Sequence, residues 1–195
     1  MSAKAYSLNL TAVAYPGQDS RLGYLEVWPT GQEPANPVSP AGDAGGNGEI
    51  TVYPSDDTNL LIDIDGYFAP PGQGGYSLYP TPPCRVIDTR QIGNGQPFSG
   101  TLNPPVNVSG SPCAPPTNAQ GYVFNATVLP VGTLYYLTLW PDGETMPMVS
   151  TLNANDGRVT SNMAIVPNFD SRGKTDAYAA GTTQLVLDIS SYFAP

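Results

Sequence analysis

The densest group of charged side chains in the sequence is a segment in which two arginines flank an aspartate: Arg85, Asp88 and Arg90. Guanidinium groups bind carboxylates and other anions through paired hydrogen bonds, so the segment could form an anion or sugar-carboxylate site. The segment also follows Cys84 directly, and its charged residues alternate with apolar ones as in a strand. We therefore interpret the three residues as a structural ion pair that fixes this strand, with an anion site as the alternative.

The two cysteines of the chain, Cys84 and Cys113, offer a second kind of chemistry. A metal or redox site is not indicated, because the sequence has no Cys-x-x-Cys motif and no histidine. A disulfide between them would stabilise the fold by about 3–4 kcal/mol in the chain-entropy description. Such bonds persist outside the reducing cytosol. We predict the disulfide, and the alternative is two free, buried thiols in a cytosolic protein.

Three aspartates near strand ends, Asp63, Asp65 and Asp188, could supply oxygen ligands to Ca²⁺. Their spacing matches no EF-hand or repeat-toxin calcium loop. Asp63 and Asp188 also stand at equivalent distances before a Tyr-Phe pair, which suits a carboxylate that caps backbone amides at a turn. We predict neither metal nor cofactor, with calcium as the alternative.

Large aromatic side chains could offer a flat surface to sugar rings. Four of them occupy matching places in two related parts of the sequence: Trp28, Tyr24, Trp140 and Tyr136. Aromatics at alternating strand positions usually fill the core of a β-sandwich. Packing is therefore our main interpretation, and contact with a carbohydrate is the alternative.

The composition excludes several classes of function. The chain has no histidine, so Ser-His-Asp and Cys-His catalysis are excluded, and we predict that the protein is not an enzyme. Its net charge of −9 argues against nucleic acid as a partner, because phosphates require clusters of Lys and Arg. No apolar run approaches the length of about 18 residues that a membrane span needs.

Proline and glycine determine the expected fold class. The chain contains 22 prolines and 21 glycines, and both residue types disfavour helix interiors. Hydrophobic residues still make up 40% of the sequence, enough for a packed core. We predict an all-β protein with short strands and many turns. The turns include a Trp-Pro-x-Gly motif that occurs at Trp28 and again at Trp140.

An internal repeat organises the chain. Three blocks occur twice in the same order: residues 6–11 with 122–127, residues 22–31 with 134–143, and residues 60–70 with 185–195. Only the second copy has a cysteine-containing leading segment and an internal hairpin. We predict two tandem β-sandwich-like (or open-barrel) units. The boundaries are an incomplete first unit at 1–70, a Pro/Gly-rich linker at 71–83 and a complete unit at 84–195.

The repeated blocks resemble a tandem repeat of large exported proteins of soil bacteria. Its pattern begins with Pro-Cys-Arg-Val-x-Asp-Thr-Arg and ends with Asp-Ile-x-Gly-Tyr-Phe. The second copy carries it at residues 83–90, 113, 122–127, 136–143, 150–153, 162–167 and 188–193. The resemblance implies an extracellular, non-catalytic module with no assigned activity. It also implies that a complete unit contains the strands that the first copy lacks.

The incomplete first copy carries our functional prediction. A sandwich without one of its strands exposes unpaired backbone groups and apolar side chains, which proteins normally protect. A strand from a neighbouring chain would repair it, and head-to-tail repair produces filaments. We expect a secreted or cell-surface structural protein that assembles with copies of itself into a fibre or layer, its export signal lying outside this chain. A carbohydrate-binding or adhesion module that uses exposed Trp and Tyr is the alternative.

Overall fold

The computed structural model describes residues 3–14, 22–31, 48–70, 72, 74–168 and 172–195. Within these ranges the secondary structure consists of β-strands and two short 3₁₀ helices at Thr89–Gln91 and Gly93–Gly95, which confirms the all-β prediction. The strands are β1 (Ala5–Ala14), β2 (Leu25–Pro29), β3 (Ile50–Pro54), β4 (Thr58–Phe68), β5 (Ser77–Asp88), β6 (Phe98–Thr101), β7 (Val106–Asn107), β8 (Gly121–Pro130), β9 (Leu134–Pro141), β10 (Leu152–Ala154), β11 (Thr160–Pro167) and β12 (Lys174–Ala194). No helix in the described part of the chain is long and apolar enough to cross a membrane.

The chain forms two compact units, Met1–Gly74 and Gly75–Pro195. Residues 77–83, which the sequence placed in a linker, form the first half of β5 and pair with the end of β12. Prolines are tolerated there because a strand at the edge of a sheet needs no donor on its outer side. Tyr79 also stacks on Tyr192, with 5.4 Å between the ring centroids. Of the remaining linker prediction, residues 71 and 73 lie outside the described residues.

The second unit is built around β12, a strand of 21 residues. The first half of β12 pairs with β9 on one edge and with β6 and β7 on the other, while its second half pairs with β8 and β5. Strands β10 and β11 extend the sheet beyond β9 and β8, which gives a barrel-like, nearly closed arrangement. Both halves of β12 therefore have strand partners on both edges.

The first unit contains two strand pairs, β1–β4 and β2–β3, and each repeats a pair of the second unit. Strands β1 and β4 have the register of β8 and the end of β12, with an irregularity at the same place. The Lys4 N–H donates to the Phe68 carbonyl at 2.7 Å, and the Gln120 N–H donates to the Phe193 carbonyl at 2.7 Å. The matched cross-strand pairs are Tyr6–Tyr67 with Tyr122–Tyr192, and Asn9–Asp63 with Asn125–Asp188.

The pair β2–β3 likewise repeats the pair formed by β9 and the beginning of β12. The Tyr24 and Tyr53 rings lie 6.3 Å apart, and the equivalent rings of Tyr136 and Tyr178 lie 5.8 Å apart. Both Trp-Pro-x-Gly motifs end in a glycine with positive φ, at 88° and 85°, as the turn prediction requires. The structural repeat therefore covers residues 48–70 and 173–195, further than the matched sequence blocks.

The two copies differ in how their equivalent side chains are buried. The second unit has one continuous core, which includes Phe124, Leu137 and five apolar residues of β12: Ala177, Ala179, Leu185, Leu187 and Ile189. Ile189 of β12 is 2% exposed, whereas its equivalent in β4, Ile64, is 64% exposed. Leu187 is likewise buried, whereas its equivalent Ile62 is 44% exposed. The repeat thus contains the same strand in a covered and an uncovered form.

This difference predicts unequal effects of one substitution at two matched sites. Ile189→Ala should lower the free energy of unfolding by about 2–5 kcal/mol, because it leaves a cavity in the core. Ile64→Ala should lower it by less than about 0.5 kcal/mol in the dilute chain, as at ordinary surface positions. Chemical denaturation of both variants and the unaltered chain measures this. An equally large effect at Ile64 would mean that its side chain is buried in solution.

Candidate functional site

The arginine segment of the second unit binds to β12 through Arg85. In the β5–β12 register, Arg85 lies opposite Asp188. Its guanidinium donates to both carboxylate oxygens, from Nε to Oδ1 and from Nη2 to Oδ2, the latter at 3.2 Å. Such paired, charge-assisted hydrogen bonds are the strong form of an ion pair. The contact joins strands that are far apart in sequence.

Asp88 is the buried centre of the same segment. Its carboxylate accepts hydrogen bonds from Nε and Nη2 of Arg90 at 2.8 and 2.6 Å, and from the Arg90 N–H at 3.1 Å. Nη1 of Arg85 lies 3.5 Å from the same carboxylate. The side-chain hydrogen bond from Arg90 is the main reason that the pKa of Asp88 is lowered, and burial opposes it. The predicted ion pair is therefore present, with Asp88 shared between two arginines.

Thr89, which is also buried, completes the attachment of this segment to β12. Its hydroxyl donates to the Gln184 side chain and accepts a hydrogen bond from the Leu185 N–H at 2.8 Å. The Gln184 amide in turn donates to the Gly95 carbonyl at 2.7 Å. The Thr89 hydroxyl thereby satisfies a strand N–H next to the point where β5 ends.

The predicted disulfide is confirmed: Cys84 is bonded to Cys113. Cys84 lies in β5 opposite Ile189, and Cys113 lies in the loop between β7 and β8. The bond therefore ties β5, at the residue before Arg85, to the loop between β7 and β8. We call the segment from Cys84 to Arg90 the clamp, because its side chains hold β5 against β12.

Asp188 belongs to the clamp contact, which the sequence did not indicate. The calcium alternative and the turn-cap interpretation both fail for this residue, because its carboxylate is bound by the Arg85 guanidinium. Within the described residues no three carboxylate, histidine or cysteine side chains are placed to hold a metal ion. The contact joins an arginine of one strand to an aspartate of another, and no local sequence pattern indicates such a contact.

Strand β4 of the first unit carries the equivalent of Asp188 without the clamp. Asp63 takes the same position opposite an asparagine of the neighbouring strand, as Asp188 does. In the described part of the chain β4 pairs with β1 alone, and Asp63 makes no ion pair there. We call the hydrogen-bonding edge of β4 that faces away from β1 the open edge.

Asp65 lies at the irregularity of β4, two residues after Asp63. Desolvation raises the pKa of Asp65 to about 6, and repulsion from the Asp63 carboxylate adds to the effect. The two carboxylates thus form a negatively charged pair along the strand. A nearby cation would favour the charged form of Asp65 and lower its pKa.

Apolar side chains surround these carboxylates on both faces of β4. The exposed ones are Leu61, Ile62, Ile64, Tyr67 and Phe68. Their equivalents in β12 are half-buried or buried, with Val186, Leu187 and Ile189 in the core of the second unit. Exposed apolar groups beside an unpaired strand edge favour the addition of another strand.

The four aromatic candidates for carbohydrate binding are not equivalent. Trp140 is 7% exposed, and its indole N–H donates to the Glu144 carbonyl at 3.0 Å, so the ring is a packed element of the fold. Tyr136 is half-buried and stacks with Tyr178, and Trp28 is half-buried. Tyr24 is exposed beside Tyr53. Of the four, Tyr24 is the one that presents an accessible ring.

Comparisons with protein-family models, curated proteins and solved structures find no match for this chain. The functional argument therefore rests on the contrast between the two units.

The clamp predicts a pH-dependent loss of stability in Asp88→Asn. At pH 7 this change should lower the free energy of unfolding by about 2–3 kcal/mol, because it weakens hydrogen bonds to charged groups at a buried site. The pKa of Asp88 is lower in the folded chain than in the unfolded one, so its stabilising effect exists at neutral pH and disappears as the pH falls below about 4. Denaturation curves between pH 7 and pH 3 should show the difference from the unaltered chain shrinking.

Asp156→Asn is the matched control, since its partner Arg158 lies 3.7 Å away and both side chains are exposed. Surface ion pairs of this kind contribute about 0–1 kcal/mol. If Asp88→Asn lowered the free energy of unfolding by no more than Asp156→Asn does, the structural role of the clamp would be contradicted.

Proposed function

We propose that the protein is a non-catalytic, extracellular structural subunit that assembles with copies of itself into a fibre or layer. In such an assembly the first unit of each chain is completed by a strand of a neighbouring chain. The observation that carries the proposal is the contrast between Ile189 at 2% and Ile64 at 64% exposure in equivalent strands. The second unit supplies the reference for what a covered copy of this strand looks like.

The energetic support comes from the apolar surface of β4. Full burial of one isoleucine or leucine side chain is worth roughly 1.5–3 kcal/mol. Covering Leu61, Ile62 and Ile64 would therefore contribute several kcal/mol, and strand pairing would add backbone hydrogen bonds along the open edge. These gains oppose the loss of freedom on association, which is of similar size.

The topology favours a chain of subunits over a closed pair. Strand addition joins two different surfaces, the open edge of one copy and a donated strand of the next. Contacts between unlike surfaces propagate into filaments unless their rotation closes a ring. This is the geometry expected of a fibre.

The disulfide supports the proposed location. The bond between Cys84 and Cys113 is compatible with a secreted protein, because disulfides persist in oxidising compartments. The absence of free cysteines among the described residues agrees with such an environment.

Self-association should depend on the exposed face of β4. The full chain should form species larger than a dimer as its concentration rises, and Ile64→Lys should suppress them, because a charge cannot be buried without a partner. Val159→Lys is the matched control: this side chain of the second unit is 65% exposed, close to the 64% of Ile64. Analytical ultracentrifugation and electron microscopy measure the outcome. A chain that stays monomeric throughout would contradict the proposal.

Carbohydrate binding is a second candidate, supported by the exposed pair of Tyr24 and Tyr53, whose centroids lie 6.3 Å apart. If it holds, Tyr24→Ala should reduce retention on an insoluble polysaccharide at least several-fold, because one stacking surface is lost. Tyr135→Ala is the control, since Tyr135 is exposed and belongs to no such pair among the described residues. Equal retention of both variants and the unaltered chain would exclude this role for the tyrosines.

A further inference from the structure

The pairing of β5 with β12 specifies what the open edge of β4 lacks. In the second unit Arg85 lies opposite Asp188, and Ile87 lies opposite Leu187. The equivalent positions in the first unit are Asp63 and Ile62. Since β4 has the same register with β1 as β12 has with β8, a strand added to the open edge would meet Asp63 as β5 meets Asp188.

A backbone N–H specifies a second feature of a strand that could pair with the open edge. In the second unit the Leu185 N–H points away from β8 and donates to the Thr89 hydroxyl at 2.8 Å. The equivalent residue of β4 is Leu60, which lies opposite Ala12 of β1 as Leu185 lies opposite Val128 of β8. Its N–H therefore points to the open edge, and no described side chain accepts a hydrogen bond from it. A strand that pairs with the open edge as β5 pairs with β12 would therefore carry a hydroxyl side chain four residues after its arginine.

Charge complementarity favours a basic strand over a neutral one. Asp63 and Asp65 stand on β4 with no ion pair in the described part of the chain, and their repulsion contributes to the raised pKa of Asp65. The chain as a whole has a net charge of −9. An arginine placed opposite Asp63 would form the same paired hydrogen bonds that Arg85 forms with Asp188.

We propose that the open edge of β4 binds an antiparallel strand of the clamp type. Such a strand carries an arginine opposite Asp63, a threonine or serine four residues later that accepts from the Leu60 N–H, and apolar residues between them. The occupant is a segment of another polypeptide with this chemistry. This inference rests on the proposed function in one respect, since both place a strand of another polypeptide on the open edge of β4.

A synthetic peptide of residues 77–91, with Cys84→Ser to prevent oxidation, is the probe. It reproduces β5 and the first turn beyond it. Titrated into the full chain and followed by fluorescence anisotropy, it should bind saturably. Asp63→Asn in the chain should weaken binding about tenfold or more, a loss of about 1.4 kcal/mol. Asp57→Asn removes the same charge from an exposed position just before β4 and should leave the affinity unchanged.

A charge exchange separates a direct contact from a general effect of charge. The peptide with Arg85→Glu should bind the unaltered chain at least tenfold more weakly, and Asp63→Arg in the chain should restore binding of that peptide. If Asp63 variants fail to fold, as judged by circular dichroism, the peptide with Arg85→Gln tests the same contact against the unaltered chain. If the affinity is unaffected by the substitutions at both Asp63 and Arg85, the inference is overturned.

The peptide-binding experiment and the self-association experiment test the two proposals separately. A chain that forms filaments but does not bind the peptide overturns the clamp-type donor and leaves the proposed function standing. A chain that binds the peptide with the expected dependence on Asp63, yet stays monomeric, supports the site and overturns assembly with copies of itself.

Discussion

A strand inside a β-sheet needs hydrogen-bonding partners on both edges, and this constraint accounts for most of the structure. Strand β12 meets it in both of its halves, with β9 and β8 on one edge and β5, β6 and β7 on the other. The clamp, the disulfide and the Thr89 hydroxyl all act on the edge taken by β5. In the first unit β4 has β1 on one edge, and the part of the chain that the structure describes places nothing on the other. The side chains of β12 are also covered by the core of the second unit, whereas the equivalent apolar side chains of β4 are exposed.

The repeat could be predicted from the sequence because it depends on local patterns. Alternating apolar residues and the Trp-Pro-x-Gly turns identified the strands that recur, and the cysteine pair was simple enough to predict as a disulfide. The Arg85–Asp188 contact could not be predicted, since it joins residues 103 positions apart and depends on a register that no local pattern specifies. The first half of β5 was missed because its prolines are typical of a linker. They are compatible with a strand only where one edge is free of ladder hydrogen bonds.

The aromatic residues illustrate the same limit. Trp140 and Trp28 look alike in sequence, and so do Tyr136 and Tyr24, but the structure buries the members of the second unit more deeply. Burial is a property of the surrounding strands, which the second unit has and the described part of the first unit has not. An interpretation of the four residues as one class, whether core or carbohydrate contact, therefore could not succeed from the sequence.

The two carboxylates of β4 also affect which assemblies are favourable. An uncovered apolar strand edge is a hazard, because it can pair with any similar edge, including that of another copy. Two β4 edges paired in a register centred near Asp63 would place Asp63 and Asp65 of one chain near the same residues of the other, and like charges facing each other across a strand pair are destabilising. This repulsion disfavours the symmetric dimer and leaves strands of opposite charge as better partners. A clamp-type strand is such a partner. It would bring apolar residues next to those of β4, and its arginine would neutralise Asp63. The open edge and the exposed apolar residues of β4 therefore favour the addition of a strand, and the two carboxylates determine which strand is favoured.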